Sequence, residues 1–162
     1  MLVDFQVETQ PDPVDLEFLE NRIRDESSAA MGLGDEVELA IFVREAGDVV
    51  AGISGWTWGD CCELQSLWVA PHLRGHGLAT RLIAAAEAEA ATRGCSQTVH
   101  FTYDFQAQDL YERNGYELVG RVHDFPSGSD ALWYRKRLGA AEVHGSPSGA
   151  TAFTRAIRER RA

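Results

Sequence analysis

The feature that most constrains the fold is the short run Arg74-Gly75-His76-Gly77-Leu78-Ala79. It follows CCELQSLWVA, a stretch of strand character closed by Pro71. It opens a helix, because Leu78, Leu82, Ala86 and Ala90 recur on one face. A strand that turns through glycines into a helix delivers several unpaired backbone N–H groups to one point. Gly75 and Gly77 have no Cβ, so another group can approach the backbone closely. The positive end of the helix dipole and Arg74 both favour negative charge there. The turn is therefore read as the seat of a phosphate-bearing ligand. It lacks the third glycine of the dinucleotide fingerprint and the Gly-Lys-Ser/Thr of the Walker loop, so hydride transfer and nucleotide hydrolysis both lose support.

The surrounding chain alternates between the two periods. Pro13 to about Arg24 reads as a helix capped by Asp12, with Leu16, Leu19 and Ile23 at helical spacing and expected to line a wall of the fold. A short second helix is expected from Ser27 to Met31, ended by Gly32 and Gly34. From Glu38 the period becomes two, through Leu39, Ile41 and Val43. Gly47-Asp48 then turns the chain into Val49 to Trp58, and Gly59-Asp60 turns it again into the strand before Pro71. A helix from Leu78 to Arg93 closes at Gly94. A strand at Gln97 to Tyr103, a helix at Gln106 to Arg113 and strands at Tyr116 to Val122 and Ala131 to Leu138 complete a mixed α/β (α+β) pattern. Residues 1–138 are read as one domain, and 139–162 as a turn-rich linker with a short basic tail.

Charge narrows the partners. The 162 residues carry a formal charge of −10. Residues 139–162 hold four Arg against two Glu, so the rest of the chain carries −12. An acidic body repels nucleic acid and anionic membranes and favours cations. No run approaches the roughly 18 apolar residues of a membrane span, and the acidic N-terminus is unlike a signal peptide, so residence in the cytoplasm is expected. The three cysteines are odd in number, and the adjacent pair Cys61-Cys62 points to opposite faces of a strand. They are read as plain thiols. The five histidines show no metal-ligand spacing, so no metal site is expected.

Two segments then carry a family resemblance. LWVAPHLRGHGLATRLIAAAEAEA resembles motif A of the GNAT N-acetyltransferase superfamily, matching at Arg74, Gly77 and Ala79. DFQAQDLYERNGYELVGR resembles its second signature, at Ala107, Leu110, Tyr111, Glu112, Gly115 and Tyr116. The resemblance runs from about residue 36 to 138. It implies a mixed central sheet of about six to seven strands, with an antiparallel N-terminal meander, flanking helices and a splay between the fourth and fifth strands. It implies acetyl-coenzyme A as acetyl donor, its pantetheine arm paired with Leu67, Trp68 and Val69. The pyrophosphate would lie on the amides of Arg74, Gly75, His76, Gly77, Leu78, Ala79 and Thr80. Asp104 stands where the family commonly has an asparagine that contacts the cofactor.

Acetyl transfer to an amine needs a neutral amine, stabilisation of an oxyanion and an acid for the departing thiolate. Tyr111 matches the tyrosine the family often uses as that acid. Glu63 falls where related histone acetyltransferases place a base, with Asp60 and Asp124 as lesser alternatives. The backbone N–H of Val69 is the expected oxyanion donor. His76 is expected to serve through its backbone alone. Trp56 and Trp58 share a strand face and, with acidic neighbours, suit a cationic acceptor. Residues 26–36 and 124–130 are expected to frame that acceptor. The leading reading is N-acetylation of a cationic small molecule or peptide amine by direct attack in a ternary complex, with a homodimer compatible. A coenzyme-binding sensor or interaction module without turnover is the alternative, which the intact Tyr111 and phosphate loop argue against. A longer acyl donor or an oxygen acceptor is also left open.

Overall fold

The computed structural model describes residues 5–34 and 36–139, so the basic tail expected beyond the last strand lies outside the described residues. Helix α1 (Pro13–Met31) comes first. The side chain of Asp12 accepts from the Val14 N–H at 2.9 Å, and Gly32, with φ 64°, closes the helix in the left-handed region. The two helices expected here are one, because nothing between Arg24 and Ser27 interrupts the backbone ladder. α1 lines a wall of the fold, that of a cavity, and does not bury its apolar residues Leu16, Leu19 and Ile23. They are 46%, 60% and 66% exposed, and Ser28 is the one buried residue of α1. The helix stands off the sheet, and a cavity separates it from the strands.

Six strands follow: β1 (Val37–Glu45), β2 (Asp48–Trp58), β3 (Cys61–Val69), β4 (Gln97–Tyr103), β5 (Glu117–Val122) and β6 (Ala131–Arg137). They form one sheet in the order β1-β2-β3-β4-β6-β5. Strands β1 to β3 are the expected antiparallel meander. Its first turn is Ala46-Gly47, one residue earlier than the sequence suggests. Both residues have positive φ, 50° and 97°, as a two-residue hairpin turn matched to strand twist requires. β3 and β4 are parallel, joined by a crossover through helix α2 (Leu78–Thr92), while β6 is antiparallel to both β4 and β5.

α2 lies on the sheet through Leu82, Ile83, Ala86 and Ala90, and its alanines let the helix approach closely. Arg93 fastens its end to the meander: one guanidinium nitrogen donates to the Glu38 carbonyl at 2.9 Å, and Nε donates to Glu89 at 2.7 Å. Fully buried side chains such as Leu64, Ile83 and Leu132 fill the same side of the sheet. Each contributes about 1.5 to 3 kcal/mol by leaving water. Helix α3 (Gln108–Arg113) is shorter than expected because Gln106 is engaged elsewhere: its side-chain oxygen accepts from Thr102 Oγ1 at 2.7 Å and from the Tyr103 N–H at 3.2 Å.

The splay lies between the third and fourth of the described strands rather than the fourth and fifth, since residues 5–12 form no strand. The parallel ladder runs from Cys61 opposite Gln97 to Leu64 opposite His100 and stops there, although β3 continues to Val69 and β4 to Tyr103. A β-bulge on the other side of β3 helps to turn it away. Ser54 faces Ser66 but Gly55 faces Leu64, which leaves Gln65 as the extra residue.

Candidate active site

The open end of the β3–β4 pair forms a cleft of about 880 Å³. One wall is Gln65 to Val69 of β3, and the other is His100 to Thr102 of β4 with Ala107, Leu110 and Tyr111 beyond it. The glycine turn and the start of α2 close the end. Ala70 donates its N–H to the Val50 carbonyl of β2 at 2.8 Å. Backbone groups alternate along a strand, so the N–H groups of Val69 and Leu67 point away from β2, into the opening. The Arg74 Nε donates to the Val69 carbonyl at 2.9 Å and pins the turn to the strand.

The turn has the geometry of an anion seat. Gly75 and Gly77 have φ of 78° and 74°, a conformation other residues rarely adopt, and a Cβ added at either would meet nothing within 4 Å. The first backbone bond of α2 is Arg81 N–H to the Gly77 carbonyl, at 3.1 Å, and no side chain caps this end. The amides of Leu78, Ala79 and Thr80 are therefore free to receive an anion at the positive pole of the helix.

Of the residues singled out in the sequence, the cleft brings together Leu67, Trp68, Val69, Arg74, Gly75, Gly77, Leu78, Ala79, Thr80 and Tyr111. His76 and Asp104 are outside its lining; the Asp104 N–H donates to the Asp130 carbonyl at 3.0 Å. Tyr111 is 4% exposed. Its ring stacks on His100 with centroids 4.1 Å apart, and it meets Tyr116 edge-on at 5.7 Å. Burial pushes its phenol pKa well above the ordinary value, so it keeps its proton throughout the neutral range.

Glu63 lies on the other face of the sheet, opposite Trp56 in the β2–β3 register. Burial raises its carboxyl pKa, and the nearby charge of Glu36 adds to the rise. On that face, between α1 and the meander, is a second cavity of about 890 Å³. Trp56 and Trp58 form its floor, and Glu20, Asp25, Glu36 and Glu38 supply four carboxylates. Arg24 is the one cation of this lining, and its Nε donates to Glu36 at 3.1 Å. Gln65, the bulged residue, lines both the cleft and this cavity.

Sequence reasoning missed Gln65, His100 and Gln106 in the cleft. Only His100 left a trace: it alternates with Thr98 and Thr102, which makes the inward face of β4 polar where a core strand is usually apolar. Its Nδ1 lies 2.7 Å from the Leu64 carbonyl, and burial lowers its pKa. A buried histidine with a depressed pKa keeps its full stabilising effect above its unfolded value of about 6.5 and loses it as pH falls through the folded value. Unfolding titrated from pH 8 to 5 is expected to show stability declining on the acid side, with a shallower decline in His100→Asn.

A mixed sheet opened between a parallel pair, with a glycine turn and free helix-start amides at the end of the opening, is the architecture of an acyl-coenzyme A-dependent N-acyltransferase. The model of the acetyltransferase (GNAT) family matches residues 2–116, and the chain belongs to that family. A blasticidin-S acetyltransferase of Streptomyces morookaense is 41% identical over 97 residues, 57% of this chain and 69% of that protein. An acetyltransferase of Agrobacterium fabrum is 34% identical over 111 residues, 68% of this chain and 81% of that protein. Among solved structures, an acetyltransferase crystal structure from Bacillus cereus superposes with a TM-score of 0.69 at 23% identity, over 82% of this chain and 98% of that one. No described helix is long and apolar enough to cross a membrane.

Proposed function

We propose that the protein moves an acetyl group from acetyl-coenzyme A to an amine of a cationic small molecule, with residues 1–138 as the catalytic domain. The observation that carries this reading is the meeting of two cavities at Gln65: a cleft with an anion seat on one face of the sheet, and an acidic, aromatic cavity on the other. The similarity to a blasticidin-S acetyltransferase supports a small-molecule amine as acceptor.

The anion seat suits the donor's pyrophosphate, held by the amides at the start of α2 with Arg74 beside them. The inward N–H of Leu67 suits an amide carbonyl of its arm. Bound there, the donor supplies a thioester whose C–S bond breaks as the amine nitrogen bonds to the carbonyl carbon. Val69 N–H, pointing into the same opening, holds the carbonyl oxygen as it gains charge. Tyr111 gives its proton to the departing sulfur. Glu63, with its raised pKa, takes the proton that the amine loses, directly or through water. The carboxylates and the tryptophans hold the cationic acceptor, each cation–π contact worth on the order of 0.5 to 2 kcal/mol.

Calorimetric titration with acetyl-coenzyme A, followed by thiol release across blasticidin S, spermidine, an aminoglycoside and a lysine-bearing peptide, tests the reading. Binding with release in the presence of a cationic small molecule is expected. Binding without release would favour a sensor, and release with the peptide alone would move the acceptor class. Glu38→Gln is expected to raise the acceptor KM by about threefold to tenfold, with the effect shrinking at high salt.

A further inference from the structure

We propose that His100 is a positioning residue that fastens the opening of the sheet to the acid: its ring N–H holds the Leu64 carbonyl at the point where β3 leaves β4, and its ring face sets the phenol of Tyr111 against the cleft. The second half rests on the reading of Tyr111 as the acid.

The parallel ladder ends at the pair Leu64 and His100. Leu64 is 1% exposed and His100 is 4% exposed, so a carbonyl freed there has little access to water. The Nδ1 of His100 lies 2.7 Å from that carbonyl oxygen. A carbonyl only accepts, so Nδ1 carries the proton, and the neutral ring has its lone pair on Nε2. The same ring stacks on Tyr111 with centroids 4.1 Å apart and planes 25° apart. Tyr116 and Tyr134 hold Tyr111 on other sides, with centroids at 5.7 and 5.9 Å. His100 and Tyr111 both line the cleft. An aliphatic side chain of equal size could fill the volume. It could neither donate to Leu64 nor stack on the phenol, so the two functions of the ring are separable by substitution.

His100→Asn keeps a donor near the place of Nδ1 and removes the ring, whereas His100→Phe keeps the ring and removes the donor. Each is made alone and together with Tyr111→Phe, and kcat and the KM for acetyl-coenzyme A are measured with the best amine. His100→Phe is expected to raise that KM by about fivefold to tenfold, the scale of one hydrogen bond. His100→Asn is expected to lower kcat by about tenfold, and that loss should vanish in the Tyr111→Phe background, where no proton remains to be placed. Equal effects of the two variants on kcat and KM, or a His100→Asn loss that persists undiminished without the Tyr111 hydroxyl, would overturn the proposal. If Tyr111→Phe alone leaves kcat unchanged, the acid assignment fails, and the KM shift of His100→Phe still decides the hold on Leu64. The unaltered protein provides a test without substitution: long-range proton–nitrogen NMR is expected to show the Nδ1–H tautomer, and the Nε2–H tautomer would refute the hydrogen bond.

Discussion

Replacing Tyr111 with phenylalanine is expected to lower kcat by about 100-fold, within the range that general acid catalysis contributes, while the KM for acetyl-coenzyme A changes little. The substitution deletes one oxygen from a ring that is 4% exposed and held by His100, Tyr116 and Tyr134. The packing survives, and the melting temperature should move by only a few degrees. On the proposed reading of Tyr111 as the acid, what disappears is the proton for the departing sulfur. Because burial raises the phenol pKa, the wild-type enzyme holds that proton across the neutral range, and the limb of the pH profile that reports Tyr111 should lie on the alkaline side, above about pH 10. Steady-state kinetics of both proteins from pH 6 to 10 checks this, with no alkaline loss of wild-type activity expected across that range. A loss smaller than about threefold would show that water delivers the proton.

The largest effect on folding is expected at Gly55. Gly55 faces Leu64 at the bulge, and a Cβ there would lie within bonding range of the Glu63 carbonyl oxygen and 3.0 Å from the Leu64 Cα. These are backbone atoms in the middle of a sheet and cannot swing aside as a side chain tip can. Gly55→Ala is therefore expected to cost more than about 3 kcal/mol, at or beyond the upper end of the overpacking range, with denaturant unfolding as the measurement. Gly120 in β5 is the control. A Cβ there would meet Trp133 at 3.6 Å, an ordinary contact, so Gly120→Ala should be tolerated far better. Wild-type stability in Gly55→Ala would refute this close approach of β2 and β3.

How much of this was legible in the sequence depended on whether the signal was local. The glycine turn and the helix after it could be read because Gly75, Gly77 and the spacing of Leu78, Leu82 and Ala86 are short-range features. The family signatures carried the cleft residues from Leu67 to Thr80 and Tyr111. Gln65 was not legible: it becomes a shared wall only because β2 and β3 pair with a register shift between Ser54 and Gly55, which no local pattern announces. The apolar spacing of α1 announces the helix but not its exposure, since periodicity reports what a helix can bury and not how closely the sheet stands. Trp56 and Trp58 were placed on one face by strand alternation. Their carboxylate neighbours Glu20 and Asp25 come from α1, far away in the chain, and only the tertiary fold gathers them.

The register shift that turns Gln65 into a common wall also bears on the order of events in a catalytic cycle. If the proposed donor fills the cleft and the proposed acceptor the acidic cavity, the two approach from opposite faces of the sheet, and neither has to pass through the other's entrance. Arrival can be in either order, and the free thiol and the acetylated product can depart by separate exits. On that arrangement the working parts are one shared wall at Gln65 and one gap between β3 and β4.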